Sequence, residues 1–338
     1  MVERFPGGAG RAGLGLAVLS AATFGTSGAF GTSLLRAGWT PGAAVTVRVV
    51  VAALVLTVPA LLMLRGRLGQ LRRGAGTIAV YGIAAVAGAQ LCYFNAVVHL
   101  SVAVALLLEY SAALLVVGWL WLRHGHRPHR LTVVGAAVAV AGLVVMLDLV
   151  GNTNLDLVGV LWGLGAAVGL ATFFVLSAET HDALPPLLVA WGGLGVGGAV
   201  LTAAGGLGVL PFAAPRTNVT LLHATVSWLV PVLGLSLVAA VVAYVAGIFG
   251  VRLLGAKVAA FVGLTEVLFA ALFAWLLLGQ VLTPEQLAGG VLVLAGIALV
   301  RLDELRTPVP AALVPSQAQG VLRSRDVPRL RQGHLRRW

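Results

Sequence analysis

Three ionisable side chains stand inside apolar runs of this 338-residue sequence. Glu109 lies in LLLEYSAALLVVGWLWL (106–122), Glu266 in GLTEVLFAALFAWLLLG (263–279), and Arg48 in PGAAVTVRVVVAALVL (41–56). A charge placed mid-way through such a run costs about 2.5–3.5 kcal/mol on insertion scales, so each one needs a partner, a cavity or a function. Small residues flank both acids at helical spacing, Ala105, Ala112 and Ala113 around Glu109 and Ala259, Gly263 and Ala270 around Glu266, which leaves room beside each carboxyl. Two such carboxyls can bind an ammonium group or carry a proton; the plainer reading is a neutral or paired glutamate that only joins helices.

Other polar residues fall at comparable depth: Thr23, Thr26 and Ser27, then Gln90, Tyr93 and Asn95, and further on Tyr110, Ser111, Thr172 and Tyr244. Gln90 and Tyr93 share a helix face. Each hydroxyl could instead bond a carbonyl of its own helix, so the cluster says more than any member.

The elements that must position these groups follow from composition. The chain is 59% hydrophobic and 10% charged, whereas a soluble chain carries about 25% charged residues. Apolar stretches of the ~20 residues that cross a bilayer recur along it. Long runs without alternation exclude a barrel. The expected fold is all-α and integral to the membrane, with ten spans near 14–34, 41–64, 76–98, 102–122, 131–149, 158–178, 185–207, 228–252, 257–277 and 285–302. On that map Arg48 lies about 10 Å and Glu109 about 12 Å below one surface, and Glu266 about 14 Å above the other, at about 1.5 Å per residue.

The acidic loop from Asp148 to Asp156 divides the spans five and five. The predicted organisation is an N-terminus at 1–13, a first five-helix repeat at 14–149, a linker at 150–157, a second repeat at 158–302 and a disordered basic tail at 303–338. The lone glutamate recurs in the fourth span of each half, and Tyr93 and Tyr244 recur in the spans before it. An odd number of spans per repeat inverts the second copy relative to the first, a geometry suited to alternating access around a central site.

A net charge of +11 is explained by topology rather than by nucleic acid. With both termini cytoplasmic, nineteen of the 22 basic residues fall inside, Arg36 and Arg216 fall outside, and Arg48 lies within a span, as the positive-inside rule requires. The single Cys92 permits no intramolecular disulfide. Gly193-Leu-Gly195-Val-Gly197-Gly198 matches a dinucleotide fingerprint but sits mid-span with no preceding strand, so it reads as helix packing. His124, His126 and His129 have no standard metal-ligand spacing, and Asn218-Val-Thr220 is a glycosylation sequon only where that machinery exists. No cofactor or metal is implied.

The segments AVVHLSVAVALLLEY (96–110) and Tyr244 to Thr283 resemble the EamA-type drug/metabolite transporters, and more narrowly their threonine/homoserine exporter branch. The likeness covers most of residues 14–302. It departs where Val267 replaces the usual proline and Gln280 the usual acid. The resemblance implies a plasma- or inner-membrane exporter of amino acids or similar solutes, driven by protons, with membrane lipids as its surroundings. The expected substrate and proton pathway is Glu109, Glu266, Arg48, Gln90, Tyr93, Asn95, Thr26, Ser27, Tyr110, Thr172 and Tyr244. Arg48 and Glu109, at similar depth, are expected to form an ion pair, leaving Glu266 without a cation as the proton carrier. A nucleotide-sugar carrier, a scramblase and a membrane interaction protein are the rival readings.

Overall fold

Each long apolar run folds as a helix, because within lipid the backbone can satisfy its own polar groups only by intrahelical bonding. The computed structural model describes residues 7–65, 67–100, 102–125, 128–146, 156–179, 184–221, 224–278 and 283–306. Most of the expected linker, Gln280, His126 and the tail beyond Arg306 lie outside the described residues. In chain order the helices are α1 (Gly7–Arg36), α2 (Pro41–Leu64), α3 (Leu68–Arg73), α4 (Ala75–Val80), α5 (Ala89–His99), α6 (Val102–Tyr110), α7 (Ala112–His124), α8 (Arg130–Met146), α9 (Leu157–Glu179) and α10 (Pro186–Gly206). A hairpin of β1 (Val219–Leu221) and β2 (Ala224–Val226) precedes α11 (Leu229–Leu233), α12 (Ala243–Leu254), α13 (Ala256–Gly263), α14 (Thr265–Leu278) and α15 (Pro284–Arg306).

Among the described residues seven helical runs are long and apolar enough to cross a membrane, and two shorter apolar helices lie at Arg130–Val145 and Leu287–Val300. Large apolar side chains stay exposed along their outer faces, such as Leu54 and Val58 on α2 and Leu161 and Val168 on α9. Such faces suit hydrocarbon rather than water.

Two of the runs change pitch part-way. Between α4 and α5 the chain is π-helical over Tyr81–Gly88, and between α11 and α12 over Gly234–Val242. Two others are interrupted: α6 gives way to α7 at Ser111, and α13 to α14 at Leu264. At each interruption the backbone tightens into i to i−3 bonds, Ser111 N–H to Leu108 O at 3.1 Å and Leu264 N–H to Phe261 O at 3.1 Å. Hydroxyls support both corners, Ser111 donating to Leu108 O at 2.6 Å and Thr265 to Val262 O at 2.7 Å. π turns and broken helices inside a membrane protein mark places where backbone is used for something besides spanning.

The packing is paired. α8 lies against α15, and α2 against α10. α1 packs on α12 and α14, while α9 packs on α5, the first π turn and α6. The α8–α15 contact is close because both helices present glycine to it: a Cβ on Gly296 would stand 2.6 Å from the Ala139 nitrogen and 2.6 Å from the Gly135 oxygen. Small residues drive such approaches where no hydrophobic effect operates between helices. At one end of this pair Thr132 donates to Asp303, and Lys257 stands 3.8 Å from the same carboxylate. α15 thus continues past Leu302, where the tail was expected to begin.

At the other end the segment before β1 is clamped to the α1–α2 corner. Thr40 N–H donates to Ala213 O at 2.9 Å, its hydroxyl donates to Pro211 O at 2.9 Å, and Trp39 Nε1–H donates to Pro215 O at 2.9 Å. Asp156 starts α9, accepting from Val158 N–H at 2.8 Å and touching His99 Nδ1 at 2.9 Å. Those contacts, the amide first and then the imidazole, hold its carboxyl below the usual carboxylate range.

Candidate functional site

The interruptions between α6 and α7 and between α13 and α14 set the glutamates. Glu109 is the penultimate residue of α6, and Glu266 lies in the first turn of α14. Both carboxyls line one central cavity of about 70 Å³, room for a few waters, together with Gln90, Tyr110, Tyr244 and Ser20. Its apolar wall is aromatic, from Phe24 on α1 and Phe173 and Phe174 on α9. Tyr244 meets Phe24 edge-on with ring centres 5.1 Å apart, and Phe173 meets Tyr244 at 5.9 Å and Phe174 at 5.2 Å. The space depends on Gly247, where an added Cβ would come within 2.8 Å of Ser20 Oγ and 2.9 Å of Phe173. The Tyr110 hydroxyl lies beside Glu266.

Arg48 projects from α2, whose start is set by the Thr40 cap and Pro41. It is 2% exposed. Its Nη1 donates to Ser27 Oγ and to Gln90 Oε1, both at 3.0 Å, and Nη2 donates to the Ala239 carbonyl in the second π turn. The guanidinium also stands over the Phe24 ring, 5.7 Å from its centre, a cation–π contact. One side chain thereby joins α1, α2, α5 and the Gly234–Val242 turn. The expected Arg48–Glu109 ion pair is not formed. Arg48 instead donates to neutral oxygens on three elements, which its planar fork of donors can reach together, and faces both carboxyls and Tyr244 through space, so the expectation that Glu266 alone lacks a cation falls with the pair.

The remaining sequence candidates divide. Tyr93 packs edge-on against Phe94 at 5.5 Å and stays within electrostatic reach of both glutamates. Ser27 serves Arg48. Thr26, Thr172 and Asn95 bond carbonyls of their own helices, Thr23 O at 2.7 Å, Val168 O at 2.7 Å and Leu91 O at 2.8 Å, and do not line the cavity. Sequence reasoning missed Ser20, Phe24, Phe173 and Phe174. Ser20 donates to Ala243 O at 2.8 Å, tying α1 to α12. No group of three or more His, Cys, Asp or Glu able to hold a metal occurs among the described residues.

A model of the EamA-like transporter family matches residues 11–148 and 157–302. The chain belongs to that family. This EamA-like protein is therefore a multi-pass membrane protein, and its family is one of small-metabolite transporters. A solved crystal structure is similar to it over 88% of this chain and 99% of the other, with TM-score 0.70 and 21% identity; at that identity the likeness shows the fold. Comparison with curated proteins finds no match.

Proposed function

We propose that this chain is a proton-coupled carrier that exports amino acids or similar small amine-bearing metabolites across the plasma or inner membrane. It works by alternating access in a frame of ten spans arranged as two inverted five-helix repeats, with both termini cytoplasmic. The observation that carries this reading is the convergence of Glu109 and Glu266, from two interrupted helices, on one cavity backed by Arg48.

Several features support the repeat. The family matches on either side of the 148–157 loop. Pitch changes fall in the third run of each half and interruptions in the fourth. The fifth runs pack on each other, as do the second, and the first run of each half packs on the third and fourth of the other. A two-fold exchange of halves maps that pattern onto itself, which is the arrangement an alternating-access carrier uses.

The cavity chemistry suits a zwitterion. The carboxyls and aromatic faces receive an ammonium group; the Gln90 amide and Tyr244 hydroxyl, polarised by Arg48 behind them, receive a carboxylate. A polyanion such as a nucleotide sugar would meet two carboxyls with one cation set back from the wall, the reverse of the clamp that phosphates require. Ammonium and proton then compete for the carboxyl pair. A proton taken up from outside neutralises one carboxyl and frees the ammonium, which couples efflux to proton entry.

The experiment is counterflow with the full chain in liposomes. Labelled amino acid should accumulate saturably against unlabelled internal amino acid, and an inward proton gradient should drive net efflux that a protonophore abolishes. Absence of counterflow across a panel of the common amino acids, alongside saturable exchange of a nucleotide sugar, would overturn the reading.

A further inference from the structure

A second, larger cavity opens sideways between α2 and α10, away from the glutamates. It holds about 880 Å³ and is lined from Val50 to Thr57 on α2, from Trp191 to Ala203 on α10, and by Leu71, Ala75 and Ile78. The wall is apolar apart from Thr57, Trp191 and Thr202, and the first two satisfy each other, Trp191 Nε1–H donating to Thr57 Oγ1 at 3.0 Å. With Thr57 and Trp191 tied up and Thr202 the one other polar side chain in the wall among the described residues, the crevice offers little to a hydrophilic solute. Its α10 wall from Trp191 to Ala203 runs about 18 Å at ~1.5 Å per residue, a long narrow shape rather than a round one. The opening faces the direction in which α2 presents Leu54 to its surroundings, and in a membrane those surroundings are acyl chains.

One end of the crevice is chemically different. Leu71 and Ala75 belong to the segment that carries Arg65, Arg67, Arg72 and Arg73, all four exposed. Arg73 bonds back to the Gly69 carbonyl at 3.2 Å, which orients it without neutralising it. Four arginines at a helix end beside an apolar slot make a basic mouth on an acyl-shaped cavity, and juxtamembrane basic clusters of this size attract anionic headgroups.

We propose that the α2–α10 crevice binds one acyl chain of an anionic phospholipid, whose phosphate is held by the arginines of residues 65–73. The site is separate from the glutamate cavity, and its occupancy does not depend on which solute the protein carries.

The test is native mass spectrometry of the full chain in detergent micelles, titrated with dioleoylphosphatidylglycerol or dioleoylphosphatidylcholine. One phosphatidylglycerol should be retained in preference to phosphatidylcholine. Gly195→Phe and Ala199→Phe fill the crevice; a Cβ at Gly195 meets nothing within 4 Å and Ala199 is exposed in the wall, so both should fold and both should remove the retained lipid. Val200→Phe, exposed on α10 but outside the crevice, should retain it. Arg72→Gln with Arg73→Gln should weaken phosphatidylglycerol retention by about fivefold per arginine and leave phosphatidylcholine unchanged. Equal retention of the two lipids, retention that survives both crevice-filling variants, an equal loss in Val200→Phe, or no change in the double arginine variant would each overturn the proposal.

Discussion

Replacing Arg48 by methionine tests whether the guanidinium is the tie that holds the central site together. Two effects oppose. Removing a buried charge relieves its desolvation, and well-packed apolar replacements of buried ionic groups are often neutral or better; moreover Arg48 Nε is buried without a partner among the described residues. Against that, the substitution strips donors from Ser27 Oγ, Gln90 Oε1 and the Ala239 carbonyl, and hydrogen bonds to a charged group contribute about 1.5–3 kcal/mol each. The Ser27 hydroxyl can turn to its own helix, so two of the three losses persist. The net expectation is a destabilisation of about 2–4 kcal/mol. Arg48→Lys should recover only part, since a single ammonium cannot reach Gln90 and Ala239 at once. Measured by thermal unfolding in detergent, Arg48→Met, Gln90→Leu and the double variant form a cycle whose coupling should be about 1.5–3 kcal/mol. Wild-type stability in Arg48→Met together with strict additivity would refute the argument.

Other expectations follow from single contacts. Gly296→Ala forces a methyl against the Ala139 and Gly135 backbones, which cannot move aside as side chains do, and should cost about 1–3 kcal/mol in the same unfolding assay. Asp156→Ala removes the α9 cap; because contacts hold that carboxyl below its usual range in the folded protein, its contribution is present above the unfolded value of about 3.9 and fades as pH falls through the lower folded one. The wild-type advantage over Asp156→Ala should therefore be full at pH 6 and shrink below about pH 4. On a Cys92-free background, cysteines placed at Asn218 should react with an impermeant reagent from outside and those at Gln70 should not, as the distribution of arginines requires.

The helices were legible because lipid imposes one requirement on every spanning segment, a long apolar run, and composition reports it directly. The two glutamates were legible for the opposite reason, as isolated violations of that rule. What composition could not report was geometry within an apolar run. Nothing in YGIAAVAG or GLSLVAAVV distinguishes a π turn from an α turn, and Ser111 and Leu264 are ordinary helix residues until the chain breaks at them. Phe24, Phe173 and Phe174 escaped notice because an aromatic that lines a cavity looks the same in sequence as one that faces lipid. The Arg48 pairing was inferred from depth alone, and depth does not fix azimuth; the acceptors it found, an amide, a hydroxyl and a carbonyl, carry no charge to announce them. The β hairpin before α11 went unread because two three-residue strands between turn residues are too short for a period of two to register.

If the two cavity carboxyls both receive the substrate ammonium and carry the coupling proton, Glu266→Gln in liposomes should separate coupling from exchange. The amide imitates a carboxyl that never releases its proton. Net efflux driven by an inward proton gradient should disappear while exchange of labelled for unlabelled substrate continues, since Glu109, Gln90 and Tyr244 still line the cavity. Proton-driven efflux at the wild-type rate in Glu266→Gln, or loss of exchange together with coupling, would contradict it.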